Sequence, residues 1–118
     1  MRVIEKNMNA AIRNGKDFRS GNTSVTHSIN AEGNSEAIIK LHGNHIGTVT
    51  NDTLLLFDGG WQSNTTKSRL NALCDEFCIA GEGVFQKNFK WYVSRFVGQA
   101  GQSKVYNADD FVNGYVFS

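Results

Sequence analysis

Two apolar, β-branched runs, Ala37-Ile38-Ile39-Lys40-Leu41-His42 and His45-Ile46-Gly47-Thr48-Val49-Thr50, are separated only by Gly43-Asn44. Parallel strands need a crossover of a dozen or more residues, so runs this close must pair antiparallel. Glycine tolerates the positive φ that the first position of a two-residue hairpin turn demands, and Gly43-Asn44 is read as that turn. Asn51-Asp52 supplies a second reversal before Thr53-Leu54-Leu55-Leu56-Phe57, giving a three-stranded meander.

A change of period follows. Leu70, Leu73, Cys74, Phe77 and Cys78 recur at i, i+3, i+4, i+7 and i+8, the stripe of an amphipathic helix facing a sheet. The helix is predicted over about 66–79, with Asn64, Thr65 or Thr66 as cap and Gly81 and Gly83 ending it. Upstream, Val3, Ile4, Met8, Ala11 and Ile12 predict a helix over Val3 to Asn14, stopped by Gly15, with Arg2, Lys6, Asn9 and Arg13 on its polar side. Lys16 to Asn22 reads as loop, Thr23 to Ile29 as a strand, and Asn30 to Ser35 as turn. Downstream, Val84-Phe85-Gln86 and Phe89 to Val93 flank Lys87-Asn88 as a further hairpin, with Phe89, Trp91 and Val93 on the core face. Gly98 to Ser103 reads as loop, and Val105-Tyr106 and Phe111 to Phe117 as short closing strands. The result is one α+β domain over residues 1–118: an antiparallel sheet of five to seven strands, an N-terminal helix, and the 66–79 helix packed on a sheet face. The apolar closing strand over 111–117 also suits a strand-edge homodimer.

Composition narrows the function classes. With 12 basic and 11 acidic side chains the net charge is +1, so the whole molecule favours neither nucleic acid nor an acidic substrate. The distribution is uneven: residues 1–20 and 61–100 are net basic, 21–60 net acidic. If the two basic segments meet, they form a modest positive face. No stretch approaches the ~20 apolar residues of a membrane span. The start lacks a secretory core, which makes a cytoplasmic location the expectation. Cys74 and Cys78 lie along the apolar stripe and read as small core hydrophobes; with His42 and His45 they do not have the spacing of a familiar structural zinc site, so no metal or cofactor is expected.

Three stretches carry candidate chemistry. The junction Gly59 to Arg69 combines Trp61, Gln62, Thr65, Lys67 and Arg69 ahead of and within a helix start, an arrangement suited to protein contact or to an anion. Arg13 and Arg19 are candidates to extend that patch. Lys90 and Tyr92, among Phe85, Lys87, Phe89, Trp91, Arg95 and Phe96, suit a stacking platform for single-stranded nucleic acid. His42 and His45, facing each other across the hairpin with Asp58 nearby, are the residues on which a small enzyme would be built. No nucleophile elbow, H-E-x-x-H or phosphate loop is present to support catalysis.

Two resemblances bear on these alternatives. The order helix, three strands, helix over residues 3–79, with Lys67 and Arg69 at the start of the second helix, resembles a double-stranded-RNA-binding domain. Asn9 to Gly15, Phe18 to Thr23, Leu41-His42-Gly43-Asn44, Asp58-Gly59-Gly60-Trp61, and Thr65-Thr66-Lys67 with Arg69-Leu70-Asn71-Ala72-Leu73 resemble small accessory proteins of tailed bacteriophages. The second resemblance implies expression in an infected bacterial cytoplasm. It also implies stoichiometric binding to a host macromolecule, foremost a host protein of a defence system of the CRISPR or restriction type. On that expectation Trp61, Gln62, Lys67 and Arg69 form the contact patch. A nucleic-acid-binding domain and a histidine-based enzyme are the alternatives.

Overall fold

The computed structural model describes residues 1–118. The elements are α1 (Val3–Asn14), β1 (Phe18–Ser20), β2 (Thr23–Ile29), β3 (Ser35–Leu41), β4 (Asn44–Val49), β5 (Leu54–Leu56), α2 (Asn64–Phe77), β6 (Gly83–Lys87), β7 (Lys90–Ala100), β8 (Ser103–Asp110) and β9 (Tyr115–Phe117). Six strands form an antiparallel sheet in the order β1-β2-β3-β4-β5-β9, within the expected five to seven, and β6-β7-β8 form a second antiparallel sheet. The α+β class stands. No helix is long and apolar enough to cross a membrane.

The alternation read from the sequence places Ala37, Ile39 and Leu41 of β3, and Leu54 and Leu56 of β5, in a core of 19 apolar residues. Both helices cover that face. They run parallel to one another: Glu5 meets Ser68 and Arg69, Asn9 meets Ala72, and Arg13 meets Glu76. The close fit of α2 on β4 explains Gly47, where a Cβ would lie 2.9 Å from Leu73 Cδ1. Gly47→Ala is expected to cost about 1–3 kcal/mol, since Leu73 is fully buried and has little room to yield. A lowered urea midpoint at unchanged m-value checks it.

Several expectations need correction. Residues 18–20, read as loop, form β1. The chain from 98 to 103 is a hairpin continuing β7 into β8, with Val97 as the extra residue of a bulge and Ala100 opposite Ser103. Only Tyr115–Phe117 of the 111–117 segment is strand. Five strands separate the helices, where the RNA-binding-domain resemblance implies three. The N-cap of α2 is Ser63, whose Oγ accepts the Thr66 amide at 3.1 Å, so the helix begins two residues early. In α1 the buried stripe is Glu5, Met8, Asn9 and Ile12, while Val3 is exposed. Polar groups of α2 satisfy Glu5 and the Asn9 amide nitrogen there, which lets two hydrophilic residues occupy the core-facing stripe.

Both hairpin turns sit one residue from where the sequence suggested. Leu41 pairs with Asn44, so the turn is His42-Gly43, and both residues have positive φ (52° and 77°) as a mirror-image hairpin turn requires. Lys87 pairs with Lys90, so the later turn is Asn88-Phe89.

Candidate functional site

The loop between β5 and α2 is held by a set of hydrogen bonds to its backbone. The Asp58 amide donates to Asn113 Oδ1 at 2.8 Å, and Asp58 Oδ1 accepts the Gly60 amide at 2.7 Å. The Trp61 amide donates to the Asp58 carbonyl, and the Trp61 carbonyl accepts from the Ser63 amide (3.1 Å) and Thr66 Oγ1 (3.3 Å). A rigid main chain thus presents an indole that is 76% exposed. Trp61 stands on the rim of a cleft of about 480 Å³ whose other walls include Leu41, His42, Asn44, Asp58, Ser63 and Thr65. Gln62 is exposed beside it, its Nε2 directed to Asp58 Oδ2 at 3.4 Å.

Two of the cations expected around this junction are engaged elsewhere. Arg69 is 3% exposed: its Nη1 donates to Glu5 Oε2 at 2.8 Å, its Nε to Thr23 Oγ1 at 3.0 Å, and its Nη2 reaches Asn22 Oδ1 at 3.4 Å. It ties α2 to α1 and β2 and is no part of a surface. Arg13 is ion-paired with Glu76 at the carboxyl-terminal ends of the two helices, away from Trp61. Lys67 remains near the junction but leans to Gln86 Oε1 of β6 at 3.4 Å. The two basic segments do meet, and two of their cations, Arg13 and Arg69, are taken up there by Glu76 and Glu5. Arg19 is exposed on β1, just ahead of the β1–β2 turn that bonds the His42 amide through the Asn22 carbonyl at 2.7 Å.

The histidines are not a pair. His42 is an exposed turn residue, whereas His45 stacks on Phe57 (centroids 4.3 Å apart) with Nε2 2.9 Å from the Gly47 carbonyl and 2.7 Å from Thr48 Oγ1. The one-residue shift of the turn puts His42 inside it and sets Lys40 opposite His45, which separates them. Asp58 is occupied in closing its own loop. Cys74 is buried in the helix stripe, and hydrogen bonding with Cys78 together with burial pushes its thiol pKa far up.

Lys90 and Tyr92 lie on the second sheet. Tyr92 stacks on Phe85 at 5.5 Å, Lys90 Nζ sits 5.3 Å from the Tyr92 ring centre, and Lys90 is bonded to Asp110 at 3.1 Å. That hydrogen bond raises the lysine pKa and also neutralises the cation a phosphate would need. Phe89, assigned to the core by its alternation with Trp91 and Val93, is instead 96% exposed at the hairpin tip. The signal that could have placed it is Asn88: asparagine favours the first position of a two-residue mirror-image turn, which puts Phe89 in the second.

Of the nine candidate residues, the fold gathers Trp61, Gln62, Thr65 and Lys67 at the amino-terminal end of α2. It buries Arg69, sends Arg13 to the opposite end, and leaves Arg19 on β1 and Lys90 and Tyr92 on β7. In comparison with known proteins, residues 1–118 match the family described as Kyanoviridae Gp96 protein. No curated protein and no solved structure matches the chain.

Proposed function

Because the chain belongs to the Kyanoviridae Gp96 protein family, a family of phage proteins, we propose that it is an accessory protein that binds a host protein stoichiometrically through the Trp61 end of the molecule. One observation carries the reading: a tryptophan 76% exposed on a loop whose backbone is already fixed. Tryptophan is the residue type most enriched among binding hot spots, and an anchor whose main chain is ordered before association loses little entropy when it binds. Gln62, Thr65 and Lys67 supply polar contacts around it, and Arg19 reaches the same end along β1. The target class we propose is a host defence complex, a choice that rests on phage membership.

A nucleic-acid role is the weaker reading because ion pairs engage Arg13, Arg69, Lys90 and Arg95. Three of these, Arg13, Arg69 and Lys90, are cations that reading relies on for phosphates, and phosphate contacts dominate such affinity.

The test is a tagged pull-down from host lysate with and without nuclease. A host protein retained at one-to-one stoichiometry after nuclease is expected, and Trp61→Ala is expected to weaken that complex by about 2 kcal/mol or more. An unchanged dissociation constant in the variant removes Trp61 from the site. Material lost on nuclease treatment overturns the protein-binding reading in favour of nucleic acid, and a captured protein with no place in host defence overturns the target class.

A further inference from the structure

The β6–β7 hairpin turns through Asn88 and Phe89 with φ of 52° and 63°. Asparagine enters this left-handed region readily. A residue with a bulky Cβ substituent does so against steric resistance, and glycine is the usual occupant of the second turn position. The ring recovers nothing for the fold, since Phe89 is 96% exposed. The chain therefore holds its most exposed large apolar side chain on a strained backbone at the tip of a hairpin. Strain that the fold itself does not require points to a function.

We propose that this tip is a binding anchor that inserts Phe89 into an apolar, acid-rimmed pocket of a protein partner; this rests on the reading of the chain as a binder of a host protein. The hairpin is braced for such a role. Asn71 of α2 grips β6 twice, donating from Nδ2 to the Val84 carbonyl at 2.9 Å and accepting the Val84 amide at 2.7 Å. Lys67, one turn earlier in α2, touches Gln86, so β6 runs back along the helix and its tip projects at the same end as Trp61. The stacked Phe85 and Tyr92 rings stiffen the hairpin behind the tip. Lys87 and Lys90 face each other across it, with Asp110 on Lys90, so the tip is net positive and fits an acidic rim. Lys87 alone is left without a carboxylate, too little charge to hold a nucleic-acid strand around one exposed ring.

Phe89→Gly gives opposite signs for the two roles. The ligand is the nuclease-resistant host protein that the wild-type chain retains one-to-one, purified and titrated against each variant. Phe89→Gly is expected to keep or raise the thermal midpoint, because glycine relieves the left-handed strain, while raising the dissociation constant at least 30-fold. Lys87→Glu is expected to weaken binding at low salt and to flatten its salt dependence. If Phe89→Gly binds like the wild type while Trp61→Ala does not, the tip proposal fails and the host-binding reading stands. A thermal midpoint lowered by Phe89→Gly makes the side chain structural and overturns the proposal. If the wild-type chain retains no such protein, both fall together.

Discussion

Replacing Arg69 with Ala is expected to lower the unfolding free energy by about 3–5 kcal/mol, the usual consequence of removing one partner of a buried ion pair. The loss is large because Arg69 is not alone. Its guanidinium joins Glu5 of α1, Thr23 of β2 and Asn22 in one buried network, and Ser68 Oγ donates to the same Glu5 oxygen at 2.6 Å. Without the guanidinium, the Glu5 carboxylate stays 2% exposed with no counter-charge. Against a typical total stability of about 5–15 kcal/mol, that is enough to leave much of the population unfolded near 37 °C. The same network makes stability depend on acid. Burial raises the Glu5 pKa, but hydrogen bonds from Ser68, Arg69 and the Arg2 amide, with the Arg69 charge, outweigh it and hold the carboxyl below its ordinary 4.5. A depressed carboxyl contributes stability that is fully present above its unfolded pKa and is lost as pH falls through the folded value. Urea midpoints measured from pH 7 down to pH 3 are expected to fall in the wild type below about pH 4.5, and to fall less steeply in Glu5→Gln. Parallel curves for the two chains would show that the network carries no pH-linked stability.

Trp91→Ala is expected to cost about 3–5 kcal/mol, the range for truncating a buried aromatic in a core that cannot collapse around the gap. The indole is 4% exposed and meets Phe111 edge-on at 5.4 Å, while the Trp91 carbonyl accepts the Phe111 amide at 3.2 Å. With Val84 and Val93 it forms the apolar contribution of the three-stranded sheet to the shared core. Loss of the ring therefore loosens that sheet from the rest of the molecule. Trp61→Phe leaves Trp91 as the one tryptophan, so emission from a buried indole reports the packing directly. A Trp91→Ala thermal midpoint within two degrees of the wild type would show that the second sheet is held by other contacts.

Much of the architecture was legible because apolar spacing and turn chemistry agree over residues 37–57 and 66–77. The helix over Val3–Asn14 was legible for the same reason, closed as it is by Gly15 in the left-handed conformation. What the sequence concealed was register. His42 and Phe89 occupy positive-φ positions that local preference assigns to other residues, and a one-residue shift moved His42 away from His45 and Phe89 out of the core. Arg69 was hidden differently. It lies beside the apolar Leu70 at a helix position that composition treats as solvent, and only the approach of Glu5, 64 residues earlier, makes its burial affordable. Of the candidate residues, Trp61, Gln62, Thr65 and Lys67 are neighbours by sequence alone, while the burial of Arg69 and the pairing of Arg13 with Glu76 depend on tertiary contacts that local sequence does not carry.

The sheet order has a consequence for how the chain reaches this structure. Strands β5 and β9 are neighbours, yet residues 57–114, including α2 and the whole second sheet, lie between them. Until that excursion folds and returns, the outer edge of Leu54-Leu55-Leu56 has no partner. A leucine strand with open amide and carbonyl groups is a template for pairing with another molecule. Closing so long a loop is slow compared with forming the β3–β4 hairpin. The late step in folding is thus the one during which the nascent molecule is most exposed to aggregation, and β9 is the cap that ends that interval.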